Sequence, residues 1–490
     1  MDTAPVYRIG NPSLQDLWID PESGSDAADG ASRSRALKTI AAAWNRIPPA
    51  VGASAHGFRL LLCPGAYPAD AEGHVTLRGK RGTHERPILL QPADATTPLR
   101  LPPLDVYDSS FLYVMNLTFT STKLEHISGA NDNLIHFQNC DHILLRGVSA
   151  LGDDRPPGLP RIGLKANQCS HLYIEECEFS GATAYAFAYV AVHYGHIVRS
   201  RFSRSNFAGL TLKGGSAYHL VAGNEISDCR VAGINVGEGT GFPYMVPPWL
   251  HYEAYDIKVV NNLVRNCGAG LGVGGGGNVL LAYNTCYRVG SSRDTMLVAL
   301  GQREWIAANP ACEKFHALGG WCLPGGSSLI PNRNIQICNN VVFNPDGFES
   351  AFAHFGISGP VLAPPESNIP SPAGTENLRI EGNVIWNGGR DKAVLDPVEN
   401  LYGLAALPTV DPESLRAANH LNTLRPELAD AEKGDYRPVA GGSLFSAKPV
   451  ALADFNGEFP SIPRGDPDNA VATDRSGRTR ERNCVGAYAG

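Results

Sequence analysis

From about Ser109 onward, the chain repeats a short phrase: an apolar stretch, a small polar turn, and a second apolar stretch that opens with Gly. The phrase reads GLTLKGG from Gly209, GINVGEG from Gly233 and GLGVGGG from Gly270. YAFAYVA, from Tyr185, occupies the same position one repeat earlier, so the first two steps are 24 residues each. Short apolar stretches bounded by turn residues are typical of β-strands.

Asparagines provide a second marker of the repeat. Each stands before an apolar or β-branched stretch, at Asn224, Asn262, Asn284, Asn340 and Asn383. Asn262 and Asn284 are 22 residues apart. A repeat of this length accommodates three short strands and three turns, and stacked strands lie about 4.8 Å apart. We therefore expect the asparagines to line one turn and to form a side-chain ladder.

These periods predict an all-β fold, a right-handed parallel β-helix with three-strand coils of 22–24 residues. The longer asparagine spacings place insertions near 238–254, 302–332 and 358–376. All three follow the strand that opens with Gly, so we expect them to leave one edge of the solenoid. One-sided insertions usually build the binding face of a repeat protein. They are predicted to frame its largest cleft.

The two ends of the chain depart from the repeat. Ser34–Ile47 has apolar residues at helical spacing and predicts an amphipathic helix that covers the open edge of the first coil. The first core strand is expected near Phe58, and the period is lost from about Leu401. The predicted division is an N-terminal segment with its capping helix at 1–57, the β-helix at 58–400 and a loop-rich C-terminal cap at 401–490.

Composition narrows the function. Hydrophobic residues make up 43% of the chain and charged residues 18%, with 53 Gly and 36 Pro, which suits strands and tight turns. The net charge of −7 argues against nucleic acid as a partner. No apolar run is long enough to cross a membrane, and the first twenty residues lack a signal-peptide pattern. We expect a soluble protein, secreted or periplasmic, with a cytoplasmic location left open.

The 11 cysteines mostly lie in apolar strand patterns and are interpreted as small buried hydrophobes. Cys312 and Cys322 flank a Gly-rich stretch, and their spacing leaves open whether they form a disulfide. Close Cys or His pairs with zinc-site spacing are lacking. The sequence predicts no cofactor, although a calcium ion is left open.

The segment LWIDPESGSDAADGASRSRALKTIAAAW resembles the N-terminal segment of bacterial right-handed β-helix proteins of the pectate-lyase-like superfamily. The closing TDRSGRTRERNCVGAYAG is similar to their common final segment. The superfamily includes polysaccharide lyases, glycoside hydrolases, uronan epimerases and phage tailspikes. The resemblance implies a carbohydrate partner without naming the reaction. The calcium-site aspartates of pectate lyases and the paired aspartates of polygalacturonases are not evident in this sequence.

Stacking Gly209 under Gly233 predicts that Lys213 and Glu238 lie side by side on adjacent coils, with Tyr189 one coil below Lys213. In the next coil the same positions are held by glycines, which either form a floor against which a sugar chain could lie or simply form a tight turn. The predicted glycine floor comprises Gly274, Gly275 and Gly276.

Aromatic and charged residues in the insertions complete the predicted site. Aromatic rings pack on the C–H faces of sugars, and the same residues could instead form a hydrophobic plug that anchors the loop. We favour the sugar platform, because the loop leaves beside the predicted groove and mixes aromatics with His and Glu. The first insertion carries Phe242, Tyr244, Trp249, His251, Tyr252 and Glu253, and the second carries Arg303, Glu304 and Trp305. His193 is expected to reach the same face.

Three functions are open at this point. A lyase acting on a uronic acid polymer needs charge stabilisation, for which Lys213 and Arg303 are suited. It also needs a base or acid, for which His251, Tyr252 or Tyr244 is suited. A glycoside hydrolase needs two carboxylates, Glu238 with Glu253 or Asp294. A tailspike-like binder needs only the aromatic groove. The sequence favours the lyase slightly over the hydrolase, with a polysaccharide or oligosaccharide as the partner.

Overall fold

The computed structural model describes residues 5–120, 133–152, 162–248, 250–389, 392–396, 410–455, 468–480 and 484–489. Contacts divide the chain into two units. The N-terminal unit comprises Pro5–Ala188 and Val192–Ser205, and the described part of the C-terminal unit comprises Tyr189–Ala191 and residues from Asn206 onward. This boundary differs from the predicted three-part division, which stays a prediction. Trp249 lies outside the described residues.

The chain folds as a right-handed parallel β-helix, as predicted. Each coil passes through a first, a second and a third parallel sheet in turn. In the N-terminal unit the first sheet comprises Leu14–Ile19, Gly57–Leu62, Ile88–Pro92, Ser110–Met115, Asp141–Arg146, Ser170–Glu175 and His193–Val198. The second comprises Arg100–Leu101, Thr118–Thr120, Ser149–Leu151, Glu178–Ala182 and Arg201–Ser205. The third comprises Val75–Arg78, Leu104–Tyr107, Asn133–Gln138, Ile162–Asn167 and Tyr185–Val190, whose last two residues belong to the C-terminal unit.

The C-terminal unit repeats this arrangement. Its first sheet comprises Ser216–Ala222, Ala254–Val260, Gly276–Ala282, Asn332–Cys338 and Thr375–Glu381. The second comprises Glu225–Cys229, Leu263–Cys267, Thr285–Val289, Val341–Asn344, Val384–Asn387 and His420–Leu421. The third comprises Ala208–Lys213, Ala232–Val236, Leu271–Gly274, Met296–Ala299 and Phe355–Ile357. A small side sheet contains Gly239–Gly241, Gly301–Glu304 and Ser327–Ile330, and a hairpin joins Leu428–Asp430 to Asp435–Pro438.

Helices are few among the described residues. The α-helices are Ile40–Arg46, Pro310–Ala317 and Pro412–Ala418. Short 3₁₀ turns are Arg33–Arg35, Val51–Ala53, Phe242–Tyr244, Ala431–Lys433 and Ser443–Ser446. The first helix is shorter than predicted, because the Thr39 hydroxyl accepts from the Ala42 amide and caps the helix there. None of the described helices is long and apolar enough to cross a bilayer.

The predicted register is confirmed in the third sheet of the C-terminal unit. Ala208 pairs with Ala232, which places Gly209 beside Gly233, and Ile234 pairs with Leu271, which places Gly233 beside Gly270. Inward-facing Leu210, Ile234 and Leu271 are fully buried and form one continuous apolar row. The strand interior therefore follows the alternation seen in the sequence.

The asparagine ladder is also confirmed. Asn224 Nδ2 donates to Asn262 Oδ1 at 3.0 Å, and Asn262 Nδ2 donates to Asn284 Oδ1 at 2.9 Å. The same bond continues through Asn340 and Asn383 and ends at Asn419, which the sequence pattern had not included. Each oxygen also accepts from the backbone amide of the preceding ladder residue. These buried amides satisfy one another along the turn.

The residue before each of the first five ladder asparagines has left-handed backbone. Gly223 and Gly382 have φ of 69°, and Asn261, Tyr283 and Asn339 have φ between 55° and 60°. The turn from the first sheet to the second thus needs a residue that tolerates positive φ, followed by an asparagine. Two of the non-Gly residues are asparagines, which adopt this conformation most readily.

The end of the chain packs on coils of its own unit. The Ala487 amide donates to Thr285 Oγ1 at 2.9 Å, and the Gly486 amide donates to the Asn339 carbonyl at 2.8 Å. Arg480 lies over the Tyr283 ring at 4.0 Å. These contacts fasten the closing segment beside the asparagine turn.

Candidate active site

The structure places Lys213 and Glu238 together, as the coil spacing predicted. Lys213 Nζ donates to Glu238 Oε1 at 2.9 Å, and both side chains are partly buried. Their separation is set by Gly237, whose amide donates to the Leu212 carbonyl at 2.6 Å and whose φ is 82°. A Cβ on Gly237 would collide with the Gly274 carbonyl, so only glycine fits between these coils.

Glu238 lines a cavity of about 410 Å³ on the outer face of the third sheet. The floor is one outward row of that sheet, in which Asn235 pairs with Gly272 and Gly272 pairs with Leu297. Gly272 leaves a gap between its two neighbours. Gly237 and Gly274 continue the floor without side chains. Three adjacent coils thus contribute to the lining of the cavity.

The side sheet forms one wall of the cavity. Gly239 pairs with Gln302 and Gly241 pairs with Glu304, so Glu238, Gln302 and Glu304 lie along the same side. The opposite wall contains Phe207, Val231 and Arg293. Two carboxylates, one guanidinium and two amides thus face a space that also has apolar walls.

The three predicted insertions leave the same edge, since each joins a third-sheet strand to the next first-sheet strand. Only the first two contribute lining residues to the cavity, and 358–376 contributes none. The expectation that all three insertions frame one cleft is therefore wrong for the third insertion, and only the first two border the cavity.

Most aromatic residues of the insertions form a hydrophobic plug rather than a sugar platform. Phe242 is fully buried, contrary to its predicted role in substrate binding, and packs at 5.9 Å from the Phe315 ring. Trp305 is partly buried against it. Tyr244 is 56% exposed but does not line the cavity. Cys312 and Cys322 lie in the same cluster as free buried thiols.

Arg303 and Glu253 were predicted to contact substrate, and the structure corrects both. Arg303 Nη2 donates to Glu253 Oε1 at 2.8 Å, and both side chains have 0% exposure. Arg303 Nη1 also donates to the carbonyls of Leu250 and Trp321, and Glu253 Oε2 accepts from the Gly214 amide. A fully satisfied buried pair joins the two insertions.

His251 and Tyr252, the predicted bases, also lie in the insertion and not in the cavity lining. The His251 ring packs 4.8 Å from Trp321, and its Nε2 lies 3.0 Å from the Gly319 carbonyl. Burial lowers the pKa of His251 and raises the pKa of Tyr252. Tyr252 is buried and His251 lies outside the cavity lining, so neither residue faces a ligand in the cavity.

Of the remaining residues predicted to bind substrate, only Gly274 lies at the cavity. Gly274 lines the cavity, whereas a Cβ on Gly275 would meet Gly301 and one on Gly276 would meet interior valines. Tyr189 is fully buried, with its ring 5.3 Å from His219, so it is a core residue. His193 begins a first-sheet strand of the N-terminal unit and is not on the third sheet.

Asp294 follows the cavity-lining Arg293 and is 5% exposed. Burial and the neighbouring Asp396 carboxyl raise the pKa of Asp294 to about 7. Its Oδ2 lies against Gly356, where a Cβ would collide with it. Gly356 pairs with Leu297, so Asp294 borders the floor row one coil beyond the cavity.

One group of side chains has metal-ligand composition among the residues described. Asp141, His142 and His171 bring ligand atoms within 4.8 Å of one another in the N-terminal unit. The two imidazoles stack at 4.2 Å with planes 11° apart, and both Nδ1 atoms contact Asp141. Stacked rings do not direct two in-plane lone pairs at one ion, so the arrangement is that of a hydrogen-bonded stack.

Several cavity residues escaped the sequence analysis: Phe207, Asn235, Arg293 and Gln302. Asn235 stands next to the inward Ile234, so strict alternation would have assigned it to the outer face. Arg293 and Phe207 come from turns between the second and third sheets, which the analysis of insertions did not consider.

The family described as right handed beta helix region matches residues 133–290. A search of curated proteins finds no match. Similar solved structures include a rhamnogalacturonan lyase, at 12% identity with a TM-score of 0.44, covering 75% of this chain and 87% of that chain. Pectate lyase Pel9A is similar at 14% identity with a TM-score of 0.42, over 93% and 96%. The Dettilon tailspike protein is similar at 12% identity with a TM-score of 0.41, over 83% and 70%. At such identities the likeness concerns the fold.

Proposed function

We propose that this protein degrades a carbohydrate polymer by hydrolysing glycosidic bonds in the third-sheet cavity of its C-terminal unit, with Glu238 as a catalytic carboxylate. The observation that carries this proposal is that Glu238 and Glu304 line one cavity. The residues favoured for elimination chemistry, His251, Tyr252 and Arg303, lie outside it. The carboxylates therefore make hydrolysis the better supported reaction.

The cavity walls suit a sugar. The floor at Gly237, Gly272 and Gly274 contributes no side chains that would hold a ring away. Phe207 and Leu297 offer apolar contact to C–H faces, and the amides of the lining residues can bond to hydroxyl groups. A mixed apolar and polar cleft is typical of small-molecule and oligosaccharide sites.

Glycoside hydrolysis requires one carboxyl group as an acid and one as a base or nucleophile. Lys213 holds one oxygen of Glu238 and fixes the direction of the carboxylate. Glu304 faces the same cavity from the side sheet and is solvent exposed. We assign Glu238 as the base or nucleophile and Glu304 as the acid.

One observation favours elimination as a second candidate reaction. Arg293 lines the cavity and Lys213 borders it, so two cations are near a bound sugar. Such cations would neutralise the carboxylate of a uronic acid unit during proton removal. Among the residues that the structure describes, the cavity lining contains no His or Tyr that could act as the base, which places this reaction second.

The decisive experiment incubates the protein with neutral and uronate-containing polysaccharides and follows reducing ends together with the absorbance of unsaturated products. Hydrolysis gives reducing ends alone, and elimination gives both signals. Glu238→Gln should lower turnover about a hundredfold or more, as expected for loss of an acid–base group. Glu432→Gln, on a carboxylate that pairs with Arg288 away from the cavity, is the matched control.

Two outcomes would contradict the proposal. Full activity of the Glu238→Gln variant would remove this residue from catalysis. Binding of a polysaccharide without any cleavage would instead identify the protein as a carbohydrate-binding solenoid.

A further inference from the structure

Tyr244, in the first insertion, carries an aromatic ring that the packing of the protein leaves exposed. Among the Phe, Tyr and Trp residues that the structure describes, only Tyr244 and Tyr194 are exposed, at 56% and 38%. Tyr194 belongs to the N-terminal unit, whereas Tyr244 belongs to the unit that contains the cavity. A large exposed ring near a ligand cavity is a candidate for contact with the ligand.

The turn that carries this ring, Phe242–Tyr244, is held in place from below. Phe242 and Met245 both have 0% exposure and belong to the hydrophobic plug. Pro243 is buried as well, and the Met245 amide donates to the Phe242 carbonyl at 3.2 Å. The side chains next to Tyr244 thus anchor the turn, and the ring is positioned before a ligand arrives. Such preorganisation lowers the entropy cost of binding.

The Tyr244 ring adjoins the wall of the cavity. Gly241 lines the cavity and pairs with Glu304, which lines it too. A Cβ on Gly241 would lie 3.1 Å from Tyr244 Cε2 and 2.9 Å from Ile306 Cδ1. The ring and the Ile306 side chain therefore lie against Gly241, where the side-sheet strand Gly239–Gly241 ends. They continue the wall of the cavity as an apolar surface.

A polymer bound at Glu238 would extend beyond the cavity. The cavity volume of about 410 Å³ is near the lower end of the range for ligand sites. Glu238 and Gly241 are three positions apart in the sequence, which corresponds to about 10 Å of extended chain. A sugar chain that follows this wall from Glu238 therefore reaches Gly241 and then the Tyr244 ring.

We propose that Tyr244 forms a second sugar subsite, in which its exposed ring packs on the C–H face of a neutral sugar unit next to the units held in the cavity. This inference rests on the function proposed above, because it assigns one polymer to both places. A tyrosine ring offers a large contact area and loses little conformational freedom on binding. Ile306 adds apolar contact beside the ring.

The charges along this wall favour a neutral unit. The side-sheet residues that line the cavity include the carboxyl groups of Glu238 and Glu304, and Lys and Arg are absent from them. A uronic acid unit on Tyr244 would lie beside Glu304, with no cation on this wall to offset its charge. The hydroxyl groups of a neutral unit can instead donate hydrogen bonds to that carboxyl group.

The test measures binding by calorimetry in the full chain carrying Glu238→Gln, so that cleavage does not interfere. The probes are cellohexaose, xylohexaose, mannohexaose and hexagalacturonate. At least one neutral hexaose should bind more tightly than hexagalacturonate. Adding Tyr244→Ala should weaken binding of that hexaose about tenfold or more, as expected when an aromatic contact residue is truncated. Tyr194→Ala, at the other exposed ring, is the matched control and should leave the affinity unchanged.

A second variant gives an independent signal. Tyr244→Trp keeps a flat ring, so it should bind the same hexaose at least as tightly, and its added indole fluorescence should change on binding. Unchanged affinity of the Tyr244→Ala variant for every hexaose, unchanged indole fluorescence, or no binding of any hexaose would overturn the subsite. Binding that depends on Tyr244 in a protein that cleaves no polysaccharide would refute the proposed hydrolysis and leave the subsite standing.

Discussion

Arg303 and Glu253 meet at 2.8 Å with neither side chain exposed, and their contact joins two separate insertions. Removing one partner would leave an uncompensated buried charge. Arg303→Met should therefore lower the free energy of unfolding by about 3–5 kcal/mol. Thermal unfolding followed by circular dichroism would measure the loss.

The double variant provides a sharper check on this pair. Arg303→Met with Glu253→Leu should recover much of the stability, since no charge is left buried. Arg288→Ala breaks the exposed pair with Glu432 and should cost about 1 kcal/mol or less. Equal losses for the Arg303 and Arg288 variants would contradict the structural role.

Asn284 lies in the middle of the asparagine ladder, where it accepts from Asn262 and donates to Asn340. Asn284→Ala should destabilise the protein by several kcal/mol, because each orphaned buried group costs about 1–3 kcal/mol. Asn45→Ala changes an exposed amide on the first helix, Ile40–Arg46, and is the control. Denaturant unfolding measures the stability of both variants. Similar unfolding midpoints would show that the ladder does not contribute to the stability of the protein.

Gly272 tests the floor of the cavity. A Cβ there would point at the Asn235 side-chain oxygen, 2.8 Å away, and this flexible side chain can move aside. Gly272→Ala should therefore fold normally while weakening saccharide binding several-fold. Gly389→Ala, where a Cβ would make only an ordinary contact with Asp346 at 3.5 Å, should change neither. Calorimetry with the substrate oligosaccharide measures the effect, and unchanged affinity for the Gly272 variant would place the substrate elsewhere.

Asp294 should make stability depend on pH. Its folded pKa of about 7 exceeds that of an unfolded aspartate, so the folded state holds the proton more tightly. The stabilisation is complete below about pH 4 and is lost as pH rises through about 7. Melting temperatures of wild type and Asp294→Asn should diverge over this range, with the variant gaining at high pH. Parallel curves would refute the raised pKa.

Lys213 should position Glu238 without being needed for folding. Lys213→Gln removes a partly exposed ion pair, which contributes about 1 kcal/mol at most to stability. Turnover should fall at least tenfold, since the carboxylate loses the contact that orients it, while KM changes little. Steady-state kinetics would separate the two parameters. An increase in KM with unchanged kcat would indicate that Lys213 binds substrate instead.

The sequence predicted the features that depend on coil spacing. Lys213 and Glu238 meet because each coil adds a fixed number of residues between equivalent strand positions, and the asparagine ladder follows from the same count. A local repeat is sufficient to place such residues, since neighbouring coils hold the backbone in register.

The insertions contain no such repeat, so their contacts could not be predicted in this way. Phe242 and Arg303 were predicted to face substrate because they lie near the cleft in sequence, yet packing between two loops buried them. A loop has no repeating pattern from which one can predict which of its side chains point inward. The loop residues that face the cavity, Glu304 and Gln302, flank Arg303 on one short strand of the side sheet, where alternation alone separates cavity from plug.

The coils resume their register on both sides of every insertion. Val236 pairs with Val273 before the first insertion begins, and Ala254 pairs with Gly276 after it ends. The pairing of these strands thus does not depend on the length or the sequence of the loop between them. A different loop can be spliced at this edge while the solenoid stays closed beneath it. Such a fold can change the walls of its cavity while the pairing of its strands stays the same.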